Sequence, residues 1–253
     1  MQGAMTVPGD KSISHRAVLL GAISKGRSEV RGFLPATDCL ATVRCLRELG
    51  VQIEEISTTH LTIQGRGLTG LVEPDNVLDC GGSGTTMRLL AGILASYRFL
   101  SILTGNAQLR SRPMGRIVSP LRTMGAYVLA RDNGRLPPLC IRGGTLEGMD
   151  YTLPVASAQV KSAILLAGLS ALTPTTVREP SPSRDHTERM LSARGIDITL
   201  KEEGIITLRP GRELAPIDVL VPGDLSSAAF FLVAACVVPN SEILIRSVGT
   251  NPS

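Results

Sequence analysis

Residues 9–50, GDKSISHRAVLLGAISKGRSEVRGFLPATDCLATVRCLRELG, carry the pattern that decides the fold. A polar loop leads into a helix that is apolar on every side, and a short strand follows. A second polar loop then leads into an amphipathic helix that ends at Gly50, and two strands close the unit. A helix without a polar face is expected at the centre of a domain, whereas an amphipathic helix keeps one face toward solvent. This stretch therefore predicts a small α/β unit around a buried helix.

The same order of features recurs along the chain, with a period longer than that of solenoid repeats. The amphipathic helices end in LRELG (Leu46–Gly50), LRTMG (Leu121–Gly125) and LSARG (Leu191–Gly195), each with the glycine that closes a helix. Polar loops precede the apolar helices at 9–12, 81–84, 156–159 and 223–226. We expect three α/β units, each with two helices and about four strands, packed around their buried helices with the strands outside.

A fourth unit begins near the end of the sequence and is incomplete. Its apolar helix, near Ala228–Val238, is followed by a strand over Ile243–Arg246, and the second polar loop starts at Val248. The amphipathic helix and the closing strands do not follow within residues 1–253. We therefore expect the chain to be a truncated form of a longer protein.

Composition limits the class of function. Hydrophobic residues make up 43% of the chain and charged residues 19%, as in a globular protein. No apolar run approaches the roughly 18–20 residues that cross a bilayer, and the N-terminus has no signal-peptide pattern, so we expect a cytoplasmic protein without a membrane partner. Aromatic residues are 3% with no Trp, which disfavours a nucleic-acid platform that stacks bases.

The cations and cysteines add two expectations. Only four of the 26 basic residues are Lys and the other 22 are Arg, the residue best suited to bidentate binding of phosphate and carboxylate, although a GC-rich genome gives the same bias. The five cysteines form no CxxC pair. They indicate free thiols in a reducing compartment rather than a disulfide framework or a metal cluster.

Each polar loop stands where an apolar helix begins, so unpaired backbone N–H groups and the positive end of the helix dipole favour an anion there. The loops also supply residues of ordinary N-cap type, namely Ser12, Ser83, Ser157 and Ser226, and helix capping alone is the alternative interpretation. In the first loop, Lys11 and Arg16 could reach an anion beside Ser12. The alternative is a solvated turn that pairs Lys11 with Asp10.

Two further loops carry charges near a helix start. The first contains Arg110, Arg112 and Arg116, which could clamp an anion or could form a solvated charged face. In the second, Ser183 or Asp185 is a plausible N-cap before Glu188, with an anion contact from Arg184. We prefer that interpretation to a metal site because His186 and its neighbours lack metal-ligand spacing. His60 and the residues around it are interpreted as ordinary surface.

Several stretches together resemble one family: GDKSISHR (9–16), GGSGTTMRL (81–89), RPMGR (112–116), ASAQVKSAILLAG (156–168), RDHTE (184–188) and VPGDLSSAAF (221–230). The chain is similar to 5-enolpyruvylshikimate-3-phosphate synthases. The residues of its motifs resemble those of the bacterial class that is often insensitive to glyphosate. The resemblance implies βαβαββ units in an inside-out α/β barrel domain. It places an initial strand and hinge at 1–8, a three-unit N-terminal domain at 9–220 and the truncated start of a second, largely absent domain at 221–253.

The resemblance also implies a reaction and a set of site residues. Members of the family transfer the enolpyruvyl group of phosphoenolpyruvate to the 5-hydroxyl of shikimate 3-phosphate and release phosphate, without a metal or an organic cofactor. Lys11 would be catalytic and contact both substrates. Shikimate 3-phosphate would also contact Ser12, Arg16, Ser157, Ala158, Gln159, Ser183 and Arg184. Phosphoenolpyruvate would also contact Gly84, Arg112 and Gln159.

Departures from the family pattern leave alternatives open. Gly82 stands where the family usually has Asn, and Gly84 keeps the small residue associated with access of glyphosate, which is a possible ligand. The family's acid–base residues would lie beyond Ser253, so a complementing C-terminal domain is a possible partner and the chain alone is expected to be inactive or very weak. One alternative is a non-catalytic ligand-binding half-domain. Another is a UDP-N-acetylglucosamine enolpyruvyl transferase, which the absence of Cys from 104–112 disfavours.

Overall fold

The computed structural model describes residues 1–201 and 204–251 of the chain. The helices in these residues are α1 (Lys11–Ile23), α2 (Thr37–Glu48), α3 (Gly84–Leu94), α4 (Ala107–Arg110), α5 (Gly115–Thr123), α6 (Arg131–Gly134), α7 (Ala158–Gly168), α8 (His186–Ala193) and α9 (Leu225–Val237). The strands are β1 (Gln2–Thr6), β2 (Lys25–Arg31), β3 (Gln52–Ser57), β4 (His60–Arg66), β5 (Leu78–Asp79), β6 (Leu100–Thr104), β7 (Tyr127–Ala130), β8 (Leu136–Arg142), β9 (Asp150–Thr152), β10 (Thr175–Arg178), β11 (Asp197–Lys201), β12 (Ile205–Arg209), β13 (Val219–Leu220) and β14 (Glu242–Arg246).

Three four-stranded sheets repeat one arrangement. Their strand orders are β13-β2-β4-β3, β5-β6-β8-β7 and β9-β10-β12-β11. In each sheet the first pair is parallel and the other pairs are antiparallel. The second and third units supply all four strands from consecutive sequence, whereas the first unit takes its parallel edge strand, β13, from the far end of the three-unit region. The chain is thus a repeated α/β fold, as the sequence predicts.

The three apolar helices α1, α3 and α7 lie in the centre of the molecule. Every residue of Ser14–Ile23 is buried, and so is every residue of Val160–Gly168. The side chains of these helices join one continuous hydrophobic core with those of the flanking amphipathic helices α2, α5 and α8. The central burial predicted for the first three apolar helices is therefore confirmed.

The ends of the helices agree with the sequence pattern only in part. Gly50, Gly125 and Gly195 have the left-handed φ values of 84°, 109° and 81° that a residue after a helix end requires, as predicted. Ser83 and Ser157 cap α3 and α7 through their hydroxyls. The assignment of Ser12 and Ser226 as caps is wrong, because α1 and α9 begin earlier and are capped by the carboxylates of Asp10 and Asp224.

The two ends of the chain meet in a separate two-stranded sheet. Strand β1 pairs in parallel with β14, so the first residues join the last ones rather than the three-unit core. This pairing supports the division into 1–8, 9–220 and 221–253, which stays a prediction. Helix α9 is as apolar as the central helices, yet Ala228 is its one buried residue. Central burial, the expectation for an apolar helix, is therefore wrong for α9.

Other expectations concern isolated residues. All five cysteines are free thiols; Cys39, Cys45 and Cys80 are buried in the core. His60 lies on β4, half-buried, with its Nε2 atom 3.2 Å from Glu29 Oε2. Across residues 1–201 and 204–251, no helix is long and apolar enough to span a membrane.

Candidate active site

The N-terminal ends of α1, α3 and α7 are linked by side-chain hydrogen bonds. Gln159, in the first turn of α7, donates to Thr85 Oγ1 in the first turn of α3 at 2.8 Å. Arg16 on α1 donates to Ser162 Oγ on α7 at 2.8 Å. Three helix N-termini therefore face one region, and their dipoles give it a positive potential that favours anions. This is the arrangement that the repeated polar loops predict.

Arg16 is a buried cation at the base of this region. It donates from Nε to Thr187 Oγ1 at 2.6 Å and from Nη1 to the Ser12 carbonyl at 3.1 Å, in addition to its bond to Ser162. Burial lowers the pKa of Arg16 to about 10, and the charge of Glu188 opposes that shift. The guanidinium is therefore still charged at neutral pH, and it holds the first turn of α1 against α7 and α8.

Lys11 lies in the first turn of α1 and forms an ion pair with Asp38 on α2. The alternative turn pairing Lys11 with Asp10 is wrong, because the Asp10 carboxylate accepts from the Ile13 N–H at 2.7 Å to cap the helix. The Lys11 side chain stays about half exposed, at 47%. The ammonium can therefore exchange its Asp38 contact for an anionic ligand without leaving a buried carboxylate unpaired.

A second group of cations surrounds the start of α3. Arg88 donates to Gln159 Oε1 at 2.6 Å and to the Pro113 carbonyl at 3.2 Å. A Cβ on Gly84 would lie 2.7 Å from Arg88 Nη1 and 3.3 Å from Arg112 Nη1, so the missing side chain leaves room for both guanidinium groups. Burial lowers the pKa of Arg88, and the neighbouring charges of Arg112 and Arg116 lower it further. The site therefore concentrates positive charge where an anion is expected.

The predicted cluster of Arg110, Arg112 and Arg116 needs a correction. Arg110 turns away and its Nη1 atom hydrogen-bonds the Gly105 carbonyl. Its place is taken by Arg88, which sequence reasoning missed. The available signal was one Arg within the apolar helix sequence GTTMRLLAGIL, since a buried helix face seldom carries an unneeded charge.

The loop between β10 and α8 brings the third set of predicted residues to the same region. Arg184 Nη1 donates to Ser12 Oγ at 2.9 Å, which joins this loop to the first turn of α1. Ser157 caps α7, with its hydroxyl 3.4 Å from the Val160 N–H, and Ala158 is the first residue of that helix. The structure thus joins the first and third units at Arg184 and Ser12, and again where Arg16 contacts Ser162 and Thr187.

The cap expected before Glu188 is confirmed in its position only. Asp185 occupies the N-cap position of α8 but makes no capping bond; its carboxylate accepts from Arg189 at 2.7 Å and from Asn251 at 3.0 Å. The Glu188 carboxylate is fully buried and lies 2.6 Å from Lys161 Nζ. Burial raises the pKa of Glu188, and the ammonium of Lys161 opposes that shift. Its role is an ion pair between helices and not a cap.

A cavity of about 380 Å³ adjoins the Arg184 loop, between the starts of α1 and α9. Asp10, Arg184, His186, Asp224 and Asn251 contribute its polar lining. The size is that of a small-molecule pocket. Within the described ranges, no group of three or more His, Cys, Asp or Glu side chains could hold a metal ion.

At Gly82, where the resemblance implies an Asn, another amide stands close by. A Cβ on Gly82 would lie 3.2 Å from Asn106 Nδ2 and 3.7 Å from Asp38 Oδ1. The amide of Asn106 therefore borders the space that an Asn side chain at position 82 would enter. An amide group is still present at this edge of the site.

Comparison with known proteins gives the family. The family model of EPSP synthase (3-phosphoshikimate 1-carboxyvinyltransferase) matches residues 1–253. Enzymes named 3-phosphoshikimate 1-carboxyvinyltransferase from Herpetosiphon aurantiacus and Alkaliphilus metalliredigens are 55% and 56% identical over the whole chain, which spans 59% of their length. The solved EPSP synthase of Acinetobacter baumannii superposes with a TM-score of 0.94 at 48% identity, over 99% of this chain and 56% of that one. The chain therefore belongs to the EPSP synthase family.

Proposed function

We propose that this chain provides one side of the active site of an enzyme that makes 5-enolpyruvylshikimate 3-phosphate. The reaction would transfer the enolpyruvyl group of phosphoenolpyruvate to the 5-hydroxyl of shikimate 3-phosphate and release phosphate. The observation that carries the proposal is the convergence of three helix N-termini with Arg16, Arg88 and Arg112 around Gln159. Two highly charged anions need such a site because like charges must be brought into contact.

The proposed ligand contacts come from all three units of the chain. Shikimate 3-phosphate would contact Lys11, Ser12, Arg16, Ser157, Ala158, Gln159, Ser183 and Arg184. Phosphoenolpyruvate would lie against the Gly84 backbone and contact Lys11, Arg112 and Gln159. Gln159 would bridge the ligands, since it already spans α3 and α7. These residues would act by positioning the substrates and stabilising the charge that develops in the transition state. Lys11 is proposed as the catalytic group among them.

Proton transfer is proposed to need groups outside the described residues. Two carboxylates near the site are committed to contacts within the chain: Asp10 caps α1, and Glu188 pairs with Lys161. A general base must be able to accept a proton from the reacting hydroxyl. We therefore propose a partner that corresponds to the remaining length of the family relatives and supplies this chemistry, and we propose that the chain alone binds substrate but turns it over weakly or not at all.

The test compares binding with turnover. The folded chain is titrated with shikimate 3-phosphate by calorimetry, and phosphate release is followed after addition of phosphoenolpyruvate. We expect binding with little release, and an increase in release when the complementary segment of a relative is added. Lys11→Met should abolish that release, whereas Lys25→Met, at an exposed ion pair with Glu213, should leave it unchanged. Failure of the folded chain to bind shikimate 3-phosphate would contradict the proposal.

The second candidate, a ligand-binding half-domain without catalysis, is favoured by the same committed carboxylates. It predicts binding of shikimate 3-phosphate and no release even with a folded complement. Glyphosate carries a carboxylate and a phosphonate, and we propose it as a further ligand of the arginine group at Gly84; competition with phosphoenolpyruvate tests this. We place the protein in the cytoplasm, where its free thiols would stay reduced.

A further inference from the structure

Below the candidate site lies a buried group of three charges that the proposed reaction does not use. Lys161 Nζ on α7 is 2.6 Å from Glu179 Oε2 and 2.6 Å from Glu188 Oε1. The three side chains are 1%, 4% and 0% exposed. Such a group costs desolvation energy, and packed apolar side chains often replace buried ion pairs without loss of stability. Stability alone is therefore a weak reason for these three charges.

The ammonium of Lys161 also fixes the loop that joins β10 to α8. Glu179 directly follows β10, and Glu188 lies in the first turn of α8, so the carboxylates hold both ends of the loop. In its middle, Lys161 donates to the Ser183 carbonyl at 3.4 Å, and the Ser183 hydroxyl donates to Glu179. One buried atom thus contacts this loop in its middle and the residues at both of its ends.

This loop carries two residues predicted to contact shikimate 3-phosphate, Ser183 and Arg184. The Arg184 side chain is exposed, and its one hydrogen bond in the described part of the chain goes to Ser12 Oγ at 2.9 Å. No carboxylate within the described residues forms an ion pair with Arg184, so its guanidinium is placed by the loop backbone together with the contact to Ser12. Thr187, beside Glu188, accepts from Arg16 at 2.6 Å and ties the same loop to the base of the site.

We propose that Lys161 is a positioning residue, whose buried ammonium joins Glu179, Ser183 and Glu188 so that Arg184 stands where the phosphate of the substrate binds. The identity of the ligand rests on the proposed function. The order of the loop does not, because it follows from contacts within the chain. The two parts can therefore be tested separately.

The experiment uses a variant in which all three charges are removed together: Lys161→Met, Glu179→Gln and Glu188→Gln. This variant leaves none of the three charges without its partner, and Arg16 keeps its hydrogen bonds to Thr187, Ser12 and Ser162, so it should fold with a Tm close to that of the parent chain. Trypsin cleavage after Arg184, identified by mass spectrometry, measures the order of the loop. Calorimetry with shikimate 3-phosphate and with shikimate, which lacks the phosphate, measures the effect on the site. Lys25→Met, at an exposed ion pair, is the matched control.

We expect cleavage after Arg184 to be about tenfold faster and the affinity for shikimate 3-phosphate about tenfold weaker, since a hydrogen bond to a charged group is worth at least a factor of this size. Binding of shikimate should not change. A folded triple variant with unchanged cleavage and unchanged affinity would overturn the proposal, and so would equal losses for shikimate and its phosphate.

Two further outcomes also test the proposal. If the triple variant does not fold, Glu188→Gln keeps the Lys161–Glu179 pair and should increase cleavage about threefold, because one of the two loop ends is released. Unchanged cleavage in that variant would overturn the proposal. If the parent chain binds no shikimate 3-phosphate, the proposed function fails, and the cleavage measurement alone decides the role of Lys161.

Discussion

At the scale of single residues, two buried cations have opposite surroundings. Lys161 has two carboxylates within 2.6 Å. Arg194, at the C-terminal end of α8, is equally buried, but its Nη1 atom donates only to the Met190 carbonyl, and its Nε and Nη2 atoms have no partner in the described part of the chain. Burial lowers the pKa of Arg194 to about 10, so the charge remains at neutral pH. An unpaired buried charge lowers the stability of the fold, whereas removing one partner of a buried ion pair is itself destabilising.

Substitution by Met should therefore destabilise the fold at Lys161 but not at Arg194. Lys161→Met should lower the free energy of unfolding by about 3–5 kcal/mol, because it leaves two buried carboxylates without their cation. Arg194→Met should be neutral or raise it, because it removes an uncompensated charge and keeps an unbranched side chain. Urea unfolding midpoints of the two variants provide the comparison. A large loss of stability in Arg194→Met would show that an unseen partner neutralises the guanidinium.

His15 gives the fold a dependence on pH. Its Nδ1 atom is 2.7 Å from Thr42 Oγ1, and burial lowers its pKa from 6.5 to about 3. Below pH 6.5 the unfolded chain binds a proton that the folded chain does not, so stability falls as the pH decreases toward 3. Between about pH 7 and pH 5, the unfolding free energy of the parent chain should fall as the pH decreases. The slope of this decline should exceed that of His15→Asn by up to ~1.4 kcal/mol per pH unit. Parallel profiles would contradict a neutral buried His15.

Some site residues could be predicted from the sequence and others could not. Arg112, Gln159 and Arg184 lie in recognisable motifs beside helix starts, and the structure brings them toward the same region. The spacing of Glu188 from Asp185 is that of a capping box, so the local sequence predicts a cap there. The true partner of Glu188, Lys161, lies on another helix, and no local pattern specifies a contact between helices.

At the scale of secondary-structure elements, the residue that caps α1 differs from the residue predicted to contact ligand at its N-terminus. Asp10 accepts from the Ile13 N–H at 2.7 Å, whereas Ser12 makes its side-chain contact with Arg184. Asp10→Ala should lower the free energy of unfolding by about 1 kcal/mol, the usual cost of a lost N-cap. Ser12→Ala should cost much less. Thermal unfolding of both variants tests this, and a larger loss in Ser12→Ala would restore the serine as the cap.

Element prediction succeeded for the apolar helices of the three repeated units, because these helices cover one another. Apolar stretches such as Ala163–Leu169 are buried because α1, α3 and α7 pack together. The apolar pattern of α9 predicts burial equally strongly. Such a pattern describes the side chains of the helix itself and does not show whether another element covers them. Strand β13 could not be predicted at all, since two residues are too short to show a strand period.

At the scale of the whole molecule, α9 gives the chain an unusual surface. Phe230, Val233 and Val237 lie three or four residues apart and are 79%, 63% and 73% exposed. Contiguous exposed apolar surface of this kind promotes association. We expect sedimentation of the chain to show concentration-dependent self-association, reduced by Phe230→Gln with Val237→Gln at unchanged Tm. Monomeric behaviour of the parent at high concentration would contradict this expectation.

The position of β13 has a consequence for how the chain acquires its structure during synthesis. Val219 pairs with Val30, and the Glu29 N–H donates to Asp218 across 189 residues of sequence. The second and third units can close their sheets soon after they leave the ribosome, whereas the first must wait with an open edge beside β2. At about 5–20 residues per second, that wait lasts roughly 10–40 seconds. The unit made first is thus the last to be completed, and it is the one that most needs protection from aggregation in the cell.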